Sequence, residues 1–401
     1  MEFVIKQSAL KEVLGFVQGV VERKSTIPVL SNILIESLGE NSIRIVGTDL
    51  DVTIRCDAEA DIKTGGAMCI QARKLFDLAR LLNGDTVKFK KEENEWVSVT
   101  AGRGKFRLAG VNREQFPEIP IFKSAPLKLP AEVFNYFIHH TAFAITNEQS
   151  RFTLSGAKFI LGDGKARMVT TDGHRLAYIE RALDTPLEGT MDALIPKKAL
   201  LELVKISRDL GDDVSFGEDQ NHIYFELDGR LLITRKLSGN FPNYEMVMPK
   251  DNDKTAVFDL DEMKGAVRRV ALMADERNRS IRLTVREGEV EISAQSSEEG
   301  EGSEVVPAEY SGEEMQLGFN WQYLQDFLNV VSAVQTGDAE SISESPAEGA
   351  KETDGDKVRV KESSSPTRIS FEFKDSNAQT QMSIAGETGY DYRYIVMPLR
   401  I

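Results

Sequence analysis

The chain has 401 residues, 41% hydrophobic and 28% charged, the make-up of a soluble globular protein with material for two to four domains. Its four histidines (His139, His140, His174, His222) and two cysteines (Cys56, Cys69) stand in no HExxH or CxxC spacing, so no metal and no cofactor is expected. The formal charge of −15 counts against a nucleic-acid partner only as a sum, because placement decides phosphate binding.

The opening, "MEFVIKQSAL", has no basic region leading into an apolar stretch, and no run reaches about 18 apolar residues. A cytoplasmic protein with no membrane segment is expected. After a first strand, Ala9, Leu10, Val13, Leu14, Val17, Val20 and Val21 recur at helical spacing. Strand signals follow at Ile33–Ile35 and Ile43–Val46, then "GTDLDVTI" (47–54). Residues 72–120 read as an amphipathic helix, three short alternating strands and an aromatic-Pro pair. Residues 127–161 repeat the opening strand and helix, and "TTDGHRLAYI" (170–179) stands where "GTDLDVTI" stood. Residues 196–249 repeat the helix, three strands and Phe-Pro, with Phe116 and Phe241 lying 125 residues apart. A third copy opens at "AVFDLDEMKGAVRRVALM", continues at "NWQYLQDFLNVVSAV", and resumes as "RISFEFKDSNAQTQMSIAGETGYDYRYIVMP" (368–398). The break, 335–366, has no aromatic and many Ser, Glu, Gly and Pro, and is expected to be a disordered insertion. The prediction is an α+β chain of three tandem similar domains, 1–122, 126–245 and 254–401, each of two β-α-β-β-type units.

The helices are basic within an acidic chain. Residues 72–82 carry Arg73, Lys74 and Arg80 against Asp77; 196–208 carry Lys197, Lys198, Lys205 and Arg208 against Glu202; 262–277 carry Lys264, Arg268, Arg269 and Arg277 against three acids. Gathered on one surface they form a positive groove suited to holding a phosphate backbone without reading sequence. The stretch "VTTDGHRLAY" (169–178) suggests a catalytic Asp172–His174 pair. It lacks a GxSxG elbow and a third metal ligand, so catalysis is the competing reading, as is a protein scaffold that never binds DNA.

Several stretches together carry a family resemblance: "STIPVLSNILIE" (25–36), "GTDLDV" (47–52), "ARKLFD" (72–77), "TDGHRLA" (171–177), "FPNYEMVMP" (241–249), "YSGEEMQLGFN" (310–320) and "YIVMPLRI" (394–401). Over nearly the whole chain except 335–366, the sequence resembles the bacterial sliding clamp family, the beta subunit of DNA polymerase III. The resemblance implies the DNA-clamp fold, with helices lining a ring channel and sheets outside. It implies a head-to-tail homodimer that closes around double-stranded DNA without sequence specificity and has no active site. It also implies partners: the replicative polymerase catalytic subunit, the clamp loader complex, and other polymerases and repair proteins that dock through short peptide motifs.

Residue roles carry over by motif. The client-peptide pocket takes Leu154, Thr171, Gly173, His174, Arg175 and Leu176 around the "TDGHRL" stretch, and Pro242, Met246 and Val247 after the second domain. Tyr323 joins from the helix at 320, and Ile395, Val396, Met397, Pro398, Leu399 and Arg400 from the end of the chain. Leu, Val, Met and Pro make an apolar cleft that a peptide with Leu and Phe anchors can fill. Met246 stands where several relatives have a basic residue. DNA contacts fall to Lys24, Arg73, Gln149, Lys197, Lys198 and Lys205; Lys24 stands where relatives often have Arg, keeping the charge but not the fork. The dimer interface joins Lys74, Arg103, Lys105, Phe106 and Leu108 of one copy to Leu272, Met273, Glu298, Glu299, Glu301 and Glu304 of another.

Overall fold

The computed structural model describes the chain apart from residues 22–25, 122–124, 149, 184–188, 208–212, 337–365, 387 and 401. The insertion read at 335–366 therefore lies, except at its ends, outside the described residues, as do Lys24, Gln149 and Arg208.

A single motif occurs six times. The first copy is β1 (Glu2–Lys6), α1 (Gln7–Val17), β2 (Asn32–Leu38), β3 (Ser42–Thr48) and β4 (Val52–Glu59), followed by a short β5 (Asp61–Thr64). The second is β6 (Ala67–Gln71), α2 (Ala72–Leu81), β7 (Thr86–Lys91), β8 (Val97–Ala101) and β9 (Gly104–Leu108), followed by β10 (Gly110–Val111). The third is β11 (Leu127–Pro130), α3 (Ala131–Thr141), β12 (Gly156–Gly162), β13 (Lys165–Thr171) and β14 (Arg175–Ala182). The fourth is β15 (Met191–Pro196), α4 (Lys197–Ser207), β16 (Asp213–Glu218), β17 (His222–Leu227) and β18 (Arg230–Arg235). The fifth is β19 (Lys254–Asp259), α5 (Leu260–Val270), β20 (Ser280–Arg286), β21 (Glu289–Ser296) and β22 (Gly300–Glu309). The sixth is β23 (Met315–Asn320), α6 (Trp321–Thr336), β24 (Arg368–Phe373), β25 (Thr380–Ile384) and β26 (Asp391–Val396). Each helix is thus followed by three strands, as read from the sequence at 72–120 and 196–249 but one more than the β-α-β-β unit assigned to each half-domain, because β4 and β14 open on Asp-centred turns that blur their alternation.

The local chemistry accounts for these elements. In α1 the buried residues Leu10, Val13, Leu14 and Val17 repeat at helical spacing, and the helix ends before Gly19. At α5 the Asp259 carboxylate caps the helix by accepting from the Asp261 and Glu262 N–H groups. Acids in its first turn and Arg268 and Arg269 in its last complement the helix dipole. Strands such as β24, with buried Ile369, Phe371 and Phe373, alternate inward and outward side chains.

The chain divides into two compact units. The first, Met1–Asn135 with Leu187–Gly189 and Ile195–Leu237, holds a five-stranded sheet ordered β5-β1-β7-β8-β9 and a nine-stranded sheet ordered β10-β6-β2-β3-β4-β18-β17-β16-β11. Within it α1 packs on α2 and α4. The second, Tyr136–Pro186 with Thr190–Leu194 and Ser238–Ile401, holds a twelve-stranded sheet ordered β15-β12-β13-β14-β26-β25-β24-β19-β22-β21-β20-β23, with α5 packed on α6. The β4–β18 ladder runs from Val52↔Thr234 to Cys56↔Arg230, and the β14–β26 ladder from Arg175↔Val396 to Glu180↔Asp391. Both ladders join a strand of one sequence repeat to the last strand of the next. Among the described residues no helix is long and apolar enough to cross a membrane.

Candidate functional site

The "TDGHR" stretch is the turn between β13 and β14. Thr171 Oγ1 donates to the Arg175 carbonyl at 2.6 Å and accepts from the Gly173 N–H. Asp172 Oδ1 accepts from the N–H groups of His174 and Arg175, and its Oδ2 from Arg175 Nε at 3.0 Å. The same turn links β3 to β4: Thr48 bonds the Val52 carbonyl and the Leu50 N–H, and Asp49 accepts from Asp51 and Val52. Gly173 has φ 93° and its counterpart Leu50 has φ 82°. The Asp172 carboxylate thus serves the turn, as Asx residues do, and its geometry is that of a duplicated hairpin rather than an acid–base pair.

Arg175 extends the turn into the core. Its guanidinium donates to Asp326 at 2.6 Å and to the Phe143 carbonyl at 2.9 Å, and lies over the Tyr323 ring at 4.5 Å. It is largely buried and held fully charged by these partners.

Above this turn lies an apolar cleft of about 90 Å³. Its lining brings together Leu154, Thr171, Gly173, His174, Arg175, Leu176, Pro242, Val247, Ile395 and Met397 of the residues expected from sequence. It adds Tyr244, which the sequence reading missed although it stands between Pro242 and Val247 in "FPNYEMV". The cleft floor is a packed cluster of Val169, Leu176, Tyr178, Tyr244 and Ile395, with Phe241 and Met248 against it. The other expected pocket residues stand outside the lining. Met246 is 80% exposed, and Val396 is buried in the ladders to Arg175 and Thr380. Tyr323 lies behind Arg175, and Leu399 bonds the Gly318 carbonyl, carrying Pro398 and Arg400 along that edge.

A charged cluster continues the cleft wall. Glu180 accepts from Lys165 Nζ at 2.6 Å, from Arg167 Nε at 2.8 Å and also from its Nη2, and from Tyr178 Oη at 2.8 Å. Burial alone would raise the Glu180 carboxyl, but these hydrogen bonds outweigh it and hold it down to about 2. On the far side of the sheet, His140 is fully buried between Tyr136, stacked at 3.8 Å, and Tyr392, edge-on at 4.9 Å. Burial pushes its imidazole down to about 3, against the bond from its Nδ1 side to the Tyr136 carbonyl.

In the first unit a groove of about 470 Å³ is lined by Arg73, Lys74, Leu81, Phe106 and Leu108 among others. It gathers Lys74, Phe106 and Leu108, expected at an interface, with Arg73, expected on DNA, and adds the 79% exposed Leu81. Leu108 itself is mostly buried. Beside it β9, with exposed Lys105 and preceded by a turn with exposed Arg103, is the edge strand of its sheet. In the second unit Leu272 is 69% exposed on a 3-10 turn, with Met273 packed by Gly302. Strand β22 pairs with β21 along its length but meets β19 only at Ala308 and Glu309. Glu298, Glu299 and Glu301 are exposed, whereas Glu304 is held by Arg269 at 2.9 and 2.5 Å.

Two of the lysines expected on DNA carry internal partners. Lys198 donates to Asp49 and to the Val20 carbonyl, and Lys205 donates to the buried Glu202 at 2.7 Å. Arg73 is exposed, 3.9 Å from Asp77, and Lys197 opens α4. Among the described residues no group of His, Cys, Asp and Glu is placed to hold a metal.

The sequence matches the family profiles of the DNA polymerase III beta subunit N-terminal domain over residues 1–120, central domain over 128–243 and C-terminal domain over 245–338. It is 34% identical to the beta sliding clamp of Pseudomonas aeruginosa over 339 residues, covering 84% of this chain and 92% of that protein. It is 31% identical to that of Pseudomonas putida over the full length of both. The fold superposes on the crystal structure of the Pseudomonas aeruginosa clamp bound to griselimycin with a TM-score of 0.85 at 29% identity, covering all of both chains.

Proposed function

The chain belongs to the DNA polymerase III beta subunit family, the bacterial beta sliding clamps, and from that premise we propose a role for each surface described above. The protein is a processivity factor. It encircles duplex DNA as a ring, tethers the replicative polymerase and other DNA-processing proteins through a peptide-binding pocket, and catalyses no reaction of its own.

The cleft between the β13–β14 turn, Pro242–Val247 and Met397 is the socket for client peptides, and its apolar lining is the observation that carries this reading. At about 90 Å³ it takes one Leu- or Phe-sized anchor, while the exposed Met246 offers an adaptable rim. The polymerase catalytic subunit, the clamp loader, other polymerases and repair proteins compete for it. Ring closure places β9 of one copy beside β22 of the other, with Leu81 and Phe106 meeting Leu272 and Met273 and the basic residues facing Glu298, Glu299 and Glu301. Domains 1–122, 126–245 and 254–401 each contribute two copies of the repeated motif. DNA is met by Lys24, Arg73, Gln149, Lys197, Lys198 and Lys205. Because Lys198 and Lys205 are shared with Asp49 and Glu202, these contacts are weak and salt-sensitive, as sliding requires. The setting is the bacterial cytoplasm.

The test is topological. Protein loaded on nicked circular DNA should be retained and then released when the circle is cut. Equal retention on linear DNA with free ends would overturn the ring reading.

A further inference from the structure

We propose that Arg167 and Glu180 are positioning residues that fix the Tyr244 wall of the cleft and thereby set which apolar anchor it accepts. The inference rests on the cleft being the peptide socket.

The strand register puts the parts on one face. Arg167 lies opposite Glu180, Tyr178 opposite Arg393, and Leu176 opposite Ile395. Leu176, Tyr178 and Glu180 alternate along β14, so the cleft floor runs without a break into the charged cluster. The segment carrying Pro242 and Val247 crosses this face and is anchored by Tyr244. The Tyr244 ring sits 6.1 Å from that of Tyr178, and its hydroxyl accepts from Arg167 Nη1 at 3.3 Å.

The remaining donors of Arg167 explain why that bond has a fixed direction. Nε and Nη2 both bind Glu180 Oε2, which locks the guanidinium plane and leaves Nη1 aimed at Tyr244. Lys165 on Oε1 and the Tyr178 hydroxyl on Oε2 hold the carboxylate in turn. Tyr178 lies under two guanidinium groups, Arg167 at 5.7 Å and Arg393 at 5.9 Å, and Arg393 is itself gripped by Asp391. With so small a cleft, a shift of the Tyr244 backbone of about 1 Å changes the room left for an anchor. Arg167→Lys would keep the charge but lose the fork.

The experiment uses the full-length dimer and two fluorescent peptides that differ only in carrying Leu or Phe at the anchor position. Dissociation constants and rates are measured for wild type, Arg167→Lys, Tyr244→Phe, the double variant and a Met397–Ile401 deletion, with melting temperatures alongside. The single variants should weaken the better-bound peptide roughly 3- to 10-fold, mainly through faster dissociation, and narrow the Leu-to-Phe preference. The double variant should be no worse than the worse single variant, because both break one link. Lower melting temperatures with both affinities and their ratio unchanged would overturn the inference and leave Arg167 a structural residue. If the deletion abolishes binding while the point variants bind normally, positioning fails and the socket stands. If the deletion also binds normally, the socket reading fails and takes the inference with it.

Discussion

Lowering the pH from about 7 to about 5 should weaken the second unit through His140. The unfolded chain takes up a proton on this imidazole near pH 6.5, whereas the buried ring, held between Tyr136 and Tyr392, resists until about 3. Between those values the unfolded state binds more protons, so stability present above pH 6.5 is lost as the pH falls. At about pH 5 the difference is about 2 kcal/mol, or roughly 4–8 °C in melting temperature for a unit of this size. His139, also pushed down by burial, adds in the same direction. The assay is urea or thermal unfolding of wild type and His140→Phe at both pH values, followed by near-ultraviolet circular dichroism of the tyrosine cluster. Groups elsewhere titrate equally in both proteins, so the difference in pH dependence isolates His140. An identical loss of stability on acidification in the two proteins would refute the reasoning.

Replacing Leu50 with Gly should stabilise the first unit, because Leu50 holds the left-handed φ that Gly173 adopts freely in the matching turn; the relief is about 1 kcal/mol, read by chemical denaturation. Gly173→Ala should do the reverse, since its φ is positive and a Cβ there would lie 2.9 Å from Arg151 Nη1; melting temperature and peptide affinity should both fall. Deleting Met397–Ile401 removes one cleft wall and the Leu399 bond to Gly318, and should abolish binding of a polymerase tail peptide, measured by fluorescence anisotropy, while far-ultraviolet circular dichroism stays native. Reversing Glu298, Glu299 and Glu301 should give monomers in sedimentation, with Glu304 adding little because Arg269 already neutralises it.

The repeats were legible because hydrophobic spacing survives in each copy: Leu10, Val13, Leu14 and Val17 mark α1, and Phe116 and Phe241 mark matching ends. The third strand of the first and third motifs was not, because β4 and β14 begin in Asp-centred turns whose side chains bond backbone instead of alternating. Most of the cleft could be assigned from "TDGHRL", "FPNYEMV" and "YIVMP", since those motifs carry it. Tyr244 was missed because its hydrogen bond to Arg167, 77 residues away, is a contact that no local pattern encodes. The pairing of Lys198 with Asp49 escaped for the same reason: helix composition counts charges but not the acid brought up from another strand.

The continuous ladders through β4–β18 and β14–β26 have a mechanical consequence. Prising apart the repeats they join would break a row of main-chain hydrogen bonds between domains that the chain also links covalently, whereas the proposed seam of β9 against β22 joins two separate chains. A hoop that must admit a chromosome should part at that weaker latch and leave the welded joints shut.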